Sequence, residues 1–568
     1  MKIKTLLQKW WLWLLLILAT LFIITGILSS LYFNPWLQDE LESRVKKESN
    51  GLYSLKLHGL DSSFLSGRIQ ADSISLVPDF EAWAQRHEAS QQDTAAAKAP
   101  RTLLDLKTNR LVLAGINFIG ILRGKPLDLS RLRVTQPSIL ITEMRQDTTE
   151  THEPLHKAVD GIMRNLQIGS IQVTEGSLRI REGQDAKSDR IVLEDLRVTV
   201  KDFNLDSTAF QDEDRAYYAR RIALESGRVE LTLPDGTYKL QATALKANTE
   251  DATLNLGNLK LIPLLENAAL ARLKEGKAVS TIRLEVPEIN LSGVDYKVHS
   301  RYNNLSAKNM VIKNPSLSAY MDRKNFAVKG TKPLPHDIIQ ELKTGLTIQK
   351  IEVQGMHIRY EELAEEATEK GIITFENLYA TISNVTNDKN QMSAKTPAVV
   401  EAKTKAYGKA PLAVTIRLNL LDPDGYHTIQ GRAGPTDPAV LNPILEPTTF
   451  ISVKEGRLQK SDFKIELYRN KASGNLNVRY QNFKVDVLTK DENKRQSFAK
   501  KLLSKVANKV VIKSDNPEKG EALRAGKIDV VRARNRSVFN YWKDCLVSGF
   551  RTAAGIEGIG ADLKDANR

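Results

Sequence analysis

The residues His152-Glu153-Pro154-Leu155-His156 spell the pattern in which two histidines one helical turn apart hold zinc and the glutamate serves as general base. That chemistry needs both imidazoles on one helix face. Pro154 removes a backbone donor, and its ring clashes with the preceding turn, so no helix is expected to run through the set. The second histidine also recurs: His156 has a counterpart in His336, 180 positions on, where the first His and the Glu are missing. A histidine that opens a repeated helix is explained by the fold, so neither a metal nor another cofactor is expected. No glycine-rich phosphate loop precedes a Lys-Ser/Thr pair, and no nucleophile elbow is present. His58, His87 and His427 are scattered, and Glu361-Glu362 with Glu365-Glu366 read as a solvated face. The chain is not expected to be an enzyme.

The other residues able to do chemistry are cations. Lys500, Lys501, Lys505 and Lys509 flank the helical stripe Phe498, Leu502, Val506 and Val510. Arg532, Arg534 and Arg536 precede a second stripe of Phe539, Trp542, Leu546 and Phe550. Such faces are either ordinary solvated helix surface or contacts to anionic lipid headgroups, where each cation near the surface is worth about 1 kcal/mol. The candidates for the membrane surface are therefore Lys500, Lys501, Lys505, Lys509, Phe539, Trp542 and Phe550. A net charge of +14 over 568 residues admits either nucleic acid or an anionic membrane as partner.

The N-terminal segment decides between them. Residues 10–33 carry no charge and, at ~1.5 Å per residue, suffice to cross a ~30 Å hydrocarbon layer. Lys2, Lys4 and Lys9 precede this run, which places residues 1–9 in the cytoplasm. Trp10, Trp11 and Trp13 at one end and Tyr32 and Trp36 at the other suit the two interfaces. A cleaved signal peptide would have a shorter apolar run and a small-x-small cleavage site. An uncleaved single-pass anchor is expected, with everything after Asn34 outside the cytoplasm and no nucleic acid as partner. Cys545, the single cysteine, allows no internal disulfide and is expected to be a small apolar residue on a helix.

The elements that position these residues are mostly strands. Leu196-Arg197-Val198-Thr199-Val200 and Ile282-Arg283-Leu284-Glu285-Val286 alternate apolar and polar residues, as one-faced strands do. Turn signals such as Pro234-Asp235-Gly236 and Asp424-Gly425 punctuate them, which predicts an antiparallel, mainly β protein. The strands repeat. Pro137-Ser138 matches Pro315-Ser316 at an offset of 178, Ile168, Ile171 and Val173 match Ile348, Ile351 and Val353 at 180, and Leu193 to Leu196 matches Phe375 to Leu378 at 182. Ser75-Leu76-Val77-Pro78 matches Lys260-Leu261-Ile262-Pro263 at 185. Short helices recur as well: Phe80 to Arg86 answers Leu264 to Lys274, and Leu155 to Arg164 answers Pro335 to Lys343. The expected organisation is copy one over 50–227, with an exposed polar loop at 85–100, copy two over 228–405, a partial third module over 406–490, and a basic amphipathic helical region over 491–568. Repeated strand modules make elongated scaffolds that bind along their length.

This layout resembles the AsmA-like superfamily, including the TamB-type proteins of Gram-negative bacteria. The resemblance is carried by the uncharged anchor, by Leu55-Lys56-Leu57-His58-Gly59-Leu60 leading into Gly67-Arg68-Ile69-Gln70-Ala71-Asp72-Ser73-Ile74-Ser75-Leu76, and by Ile168-Gly169-Ser170-Ile171-Gln172-Val173 with Gly176. Near the end it continues in Val453-Lys454-Glu455-Gly456-Arg457-Leu458 and Ala472-Ser473-Gly474-Asn475-Leu476-Asn477-Val478. The resemblance implies an inner-membrane-anchored periplasmic protein with an elongated, curled β-groove. It also implies a role in carrying phospholipid between the two membranes and in supporting outer-membrane biogenesis, with no catalytic residues to transfer.

The candidate groove floor is Ile171, Val173, Leu196, Val198, Val200, Ile351, Val353, Leu378 and Ile382. A closed sandwich uses the same alternation, so these positions also suit ordinary core packing. Beside a phospholipid carrier stands a second possibility, a non-catalytic tether that binds outer-membrane or envelope proteins through sheet edges.

Overall fold

A computed structural model describes residue 20 and residues 29–63, 66–92, 99–117, 128–144, 155–158, 166–186, 188–488 and 512–555. The bulk of the apolar segment 10–33, His152 to Pro154 and the Lys500 to Lys509 stretch lie outside them. Among the described residues no helix is long and apolar enough to cross a membrane. The chain forms two units, one of residues 1–232 with 243–250, the other of residues 233–242 with 251–568. Both are mainly β, with 27 strands among the described residues.

The two units repeat one plan. In the first, Tyr53–His58 pairs antiparallel with Ser73–Pro78, Tyr53 opposite Pro78. In the second, Tyr238–Ala242 pairs with Thr253–Pro263, Tyr238 opposite Pro263. Each tyrosine then ties in a further strand, because its hydroxyl accepts from the amide of Leu104 at 3.2 Å and of Ile282 at 3.0 Å, respectively. Two long strands, Leu166–Glu182 and Gly345–Leu363, hold equivalent places, each paired antiparallel with the next, Ile191–Leu205 and Gly371–Thr386.

The sheets are mixed rather than antiparallel. Leu166–Glu182 runs parallel to Arg131–Thr135 and Ser138–Glu143, and Gly345–Leu363 runs parallel to Asn304–Lys313 and Ser316–Asp322. A parallel partner requires a crossover of a dozen or more residues. In the second unit residues 323–344 supply it, with the short helix Pro335–Gln340 inside.

Left-handed residues mark where these strands bend. Gln136, Glu175 and Asp195 in the first unit have φ of 51, 54 and 53°; Asn314, Gly355 and Asn377, their counterparts in the second, have 48, 67 and 50°. Register shifts fall beside them, between Val173 and Leu178 and between Val353 and Ile358. An inserted residue of this kind increases strand twist while returning the side chains that follow to the original face.

Two expectations need correction. The helix Phe80–Gln92 takes up the first part of the loop expected over 85–100, and beyond it Ala99 is buried and Pro100 accepts the Trp83 indole N–H at 2.7 Å. The aromatic ring wants a partner for its donor, and the returning chain provides one. The region after 490 is not helical throughout, because Ala525–Val531 adds a strand beside Lys471–Val487.

Helix Val538–Ala553 packs on that last strand pair. Ser537 caps it by accepting from the Asn540 amide. Gly549 sits so close to the sheet that a Cβ there would lie 2.8 Å from the Leu476 side chain and 2.9 Å from that of Ile528. Cys545 is fully buried on this face, and burial pushes its thiol up to about 12. The Trp542 indole donates to His427 Nε2 at 3.1 Å, and His427 Nδ1 donates to the Gly425 carbonyl at 2.8 Å. Only the neutral imidazole satisfies both bonds. Burial, with the His336 ring and Arg532 nearby, lowers the His427 pKa to about 4.

In the unfolded chain His427 titrates near its ordinary value of about 6.5. The unfolded state therefore binds the extra proton between pH 6.5 and 4, and stability falls as pH falls through that window, by at most roughly 3 kcal/mol. Thermal melts of the full-length chain at pH 7, 6 and 5 should show this decline, and His427→Gln should make it shallower, the remainder including His336, whose pKa burial also lowers. Equal slopes for the two proteins would contradict the assignment.

Candidate functional site

Residues opposite one another in paired strands point to the same side of a sheet. In the first unit this places Ile69, Leu113, Leu132, Ile171, Val200 and Ile222 in one row across six strands. A second row runs through Leu111, Val134, Val173, Val198 and Leu224. All eleven side chains are half-buried. On the other face Arg133, Arg197, Arg221 and Glu225 are exposed. One side of this sheet is wet and charged, and the other is apolar without being fully covered.

The second unit repeats this over more strands. Leu254 stands opposite Leu291, and the row continues through Met310, Ile351, Ile382, Val400, Ile416, Ile429 and Ile465. After Gly474 it ends at Ile528. Burial varies along it. Met310, Ile351, Ile382 and Val400 are half-buried, whereas Ile416, Ile429, Ile465 and Ile528 are 7, 4, 1 and 0% exposed. Helix Val538–Ala553 accounts for the closed end, where Tyr541, Cys545 and Ala553 join the core. At the other end Leu291 is buried with Ile289 and Val294 against Tyr296, whose hydroxyl donates to the Thr253 carbonyl. The stretch around Ile351 and Ile382 lies between two closed ends.

Eight of the nine predicted floor residues are half-buried: Ile171, Val173, Val198, Val200, Ile351, Val353, Leu378 and Ile382. Leu196 is buried, opposite Gly176 at the bulge. Ile171 faces Val200, Val173 faces Val198, and Ile351 faces Ile382. Leaving a Val or Ile partly exposed in this way forgoes about a few tenths of a kcal/mol per side chain relative to full burial. The structure thus leaves a contiguous apolar row that is less covered than the core at Ile465 and Ile528.

The membrane-surface candidates divide differently. Lys500, Lys501, Lys505 and Lys509 lie outside the described residues. Phe539 is 71% exposed. Trp542 and Phe550 instead pack on the core, Trp542 against His427 and Phe550 against Tyr480 and Phe483, which corrects their assignment to a membrane surface. An amphipathic stripe serves a sheet as well as it serves a bilayer. Arg532 is buried, donating to the carbonyls of Lys332 and Arg469. His156 lies near the Phe210 and Tyr218 rings with its Nδ1 2.9 Å from the Tyr218 hydroxyl, and His336 is buried with its Nε2 on the Tyr426 carbonyl. Among the described residues no group of three His, Cys, Asp or Glu side chains is placed to hold a metal ion.

A feature without a sequence forecast lies on the apolar face of the second unit. Along Gly345–Leu363 the residues Val353, Met356, Ile358 and Tyr360 share that face, because the bulge restores their parity. At the Tyr360 end opens a cavity of about 320 Å³. Leu270 and Met321 give it a buried apolar floor, and Lys274, Arg323, Lys332 and Arg536 ring it against one lining carboxylate, Asp235. Asp235 accepts from Thr237 at 2.6 Å and from Lys274 at 3.3 Å; the Thr237 hydroxyl above all holds its carboxyl below the usual range. Behind the lining, buried Glu362 accepts from Arg323 at 2.7 Å and from the Tyr360 hydroxyl at 2.8 Å. Burial, with Glu362 beside it, raises the Tyr360 phenol well above its ordinary pKa, so it stays a donor. The one sequence signal was a break in the repeat: position 360 is Tyr where the first copy has Ile180.

Glu362→Gln would leave the Arg323 guanidinium with only a neutral acceptor in a half-buried site. A loss of about 1–3 kcal/mol in denaturant melts is expected, and an unchanged midpoint would show that the pair carries no weight. No family model matches the chain, and no curated protein matches it.

Proposed function

We propose that the chain is a membrane-anchored lipid-binding scaffold of the bacterial envelope, not an enzyme. Residues 10–33 anchor it in the inner membrane with the N-terminus in the cytoplasm. The remainder lies in the periplasm, where its apolar sheet faces take up the acyl chains of phospholipid and move lipid between membranes in support of outer-membrane biogenesis.

The observation that carries this reading is the pair of in-register apolar faces, one in each unit, whose central residues are half-buried. A closed sandwich would bury Ile351, Ile382, Val173 and Val198 as completely as Ile465 and Ile528 are buried. The uncharged run 10–33 supports the anchor. So do Leu31, Tyr32 and Trp36, exposed apolar side chains at the start of the described structure, where Ser29–Phe33 leads into helix Asn34–Glu48. The resemblance of the sequence layout to the AsmA-like superfamily supports the compartment and the cargo.

The test places a carboxylate in each face of the full-length chain. The Val198→Asp/Ile382→Asp variant should lose binding of the fluorescent fatty acid parinaric acid by about tenfold or more, while it still unfolds in one cooperative denaturant transition. Unfolding of the variant would place these residues in a closed core. Undiminished binding would show that the faces are not where the acyl chain lies.

A further inference from the structure

We propose that the cavity beside Tyr360 holds the acidic, phosphate-bearing head of an amphiphile whose chains lie along the Ile351 to Ile358 face. This assignment rests on the lipid reading of that face and gives it a headgroup specificity.

Charge is the first argument. Lys274 is paired with Asp235, and Arg323 with Glu362, so those cations are offset. Lys332 and Arg536 also line the cavity, and among the described residues neither has a carboxylate within ion-pair distance. The cavity thus keeps an excess of two positive charges, and both side chains are half-buried. Their field is less screened than that of a surface lysine.

Position is the second. Tyr360 stands on the same sheet face as Val353 and Ile358, so the polar cavity is continuous in register with the apolar surface. From Ile351 to Tyr360 the strand advances roughly 25 Å at ~3.3 Å per residue once the bulge is allowed for, more than one leaflet's half share of a ~30 Å hydrocarbon core, so the chains of a single lipid fit along it. A head held by Lys332 and Arg536 therefore leaves its chains directed over apolar residues. Arg536 immediately precedes Ser537, the cap of the 16-residue helix Val538–Ala553, whose positive end adds to the same potential. The floor of Leu270 and Met321 excludes water from beneath the head. A guanidinium and an ammonium at one site suit a phosphate oxygen set, the first by its planar fork and the second as a point charge. A zwitterionic head would bring its own cation into this field and bind less well.

The experiment is calorimetry on the full-length chain with three probes: dihexanoyl phosphatidylglycerol, dihexanoyl phosphatidylcholine and inorganic phosphate. The wild type should prefer the glycerol lipid over the choline lipid by about tenfold. The Lys332→Gln/Arg536→Gln variant should lose that preference and keep its affinity for the choline lipid. Equal affinities in the wild type, or a preference that survives in the variant, would overturn the headgroup assignment and leave the apolar-face reading intact. Phosphate binding as tightly as the glycerol lipid would assign the cavity to a free anion and overturn the proposal. If neither lipid binds the wild type, the apolar-face reading fails, and the headgroup assignment fails with it.

Discussion

Side-chain parity is the constraint on which the rest of this structure depends. Residues paired across strands share a face, so one apolar residue per strand, held in register, writes a continuous apolar row. In the second unit the row that starts at Leu254 keeps its register through nine strands to Ile465. A slip of one residue in any of them would turn a charge such as Glu352 or Glu401 inward and an isoleucine outward. Holding that register creates an apolar surface that must be covered by protein or by a ligand. Helix Val538–Ala553 covers one end and the Tyr296 region the other, which leaves the middle as the least covered stretch of the row.

The bulges preserve this arrangement while the strands bend. Gly355 and Asn377 insert a left-handed residue each, on neighbouring strands, so Met356, Leu378, Ile358 and Phe375 remain on the face of Val353. Glu175 and Asp195 do the same in the first unit. Without them the apolar row and the Tyr360 cavity would stand on opposite sides of the sheet. The bulge thus joins a polar site to an apolar surface on one strand.

Much of this was legible because period-two alternation is local. Val198 and Ile382 declare their face within five residues of sequence, and the drifting offset between copies reappears in the paired tyrosines Tyr53 and Tyr238. What stayed hidden was non-local. The parallel partners of Gly345–Leu363 depend on a crossover, and no residue pattern announces strand direction. The strand Ala525–Val531 is short, set among cations, and defined by the close approach of Gly526 to Gly549. The stripe of Trp542 and Phe550 fits a sheet or a bilayer equally well, and only the partner decides. The cavity gathers Asp235, Lys274, Lys332, Tyr360 and Arg536 from five distant places in the chain, and the break in the repeat at Tyr360 was its single trace.

The central claim is that the middle of the apolar face meets lipid. Thr381 and Ile382 are neighbours on one strand with opposite faces, since Thr381 pairs with exposed Glu401 and Ile382 with Val400. A photo-reactive benzoylphenylalanine placed at each position in the full-length chain, irradiated in cells and analysed by mass spectrometry, reads the two faces separately. The account predicts phospholipid adducts at position 382 and none at 381. Adducts at both positions alike, or at neither, would contradict it.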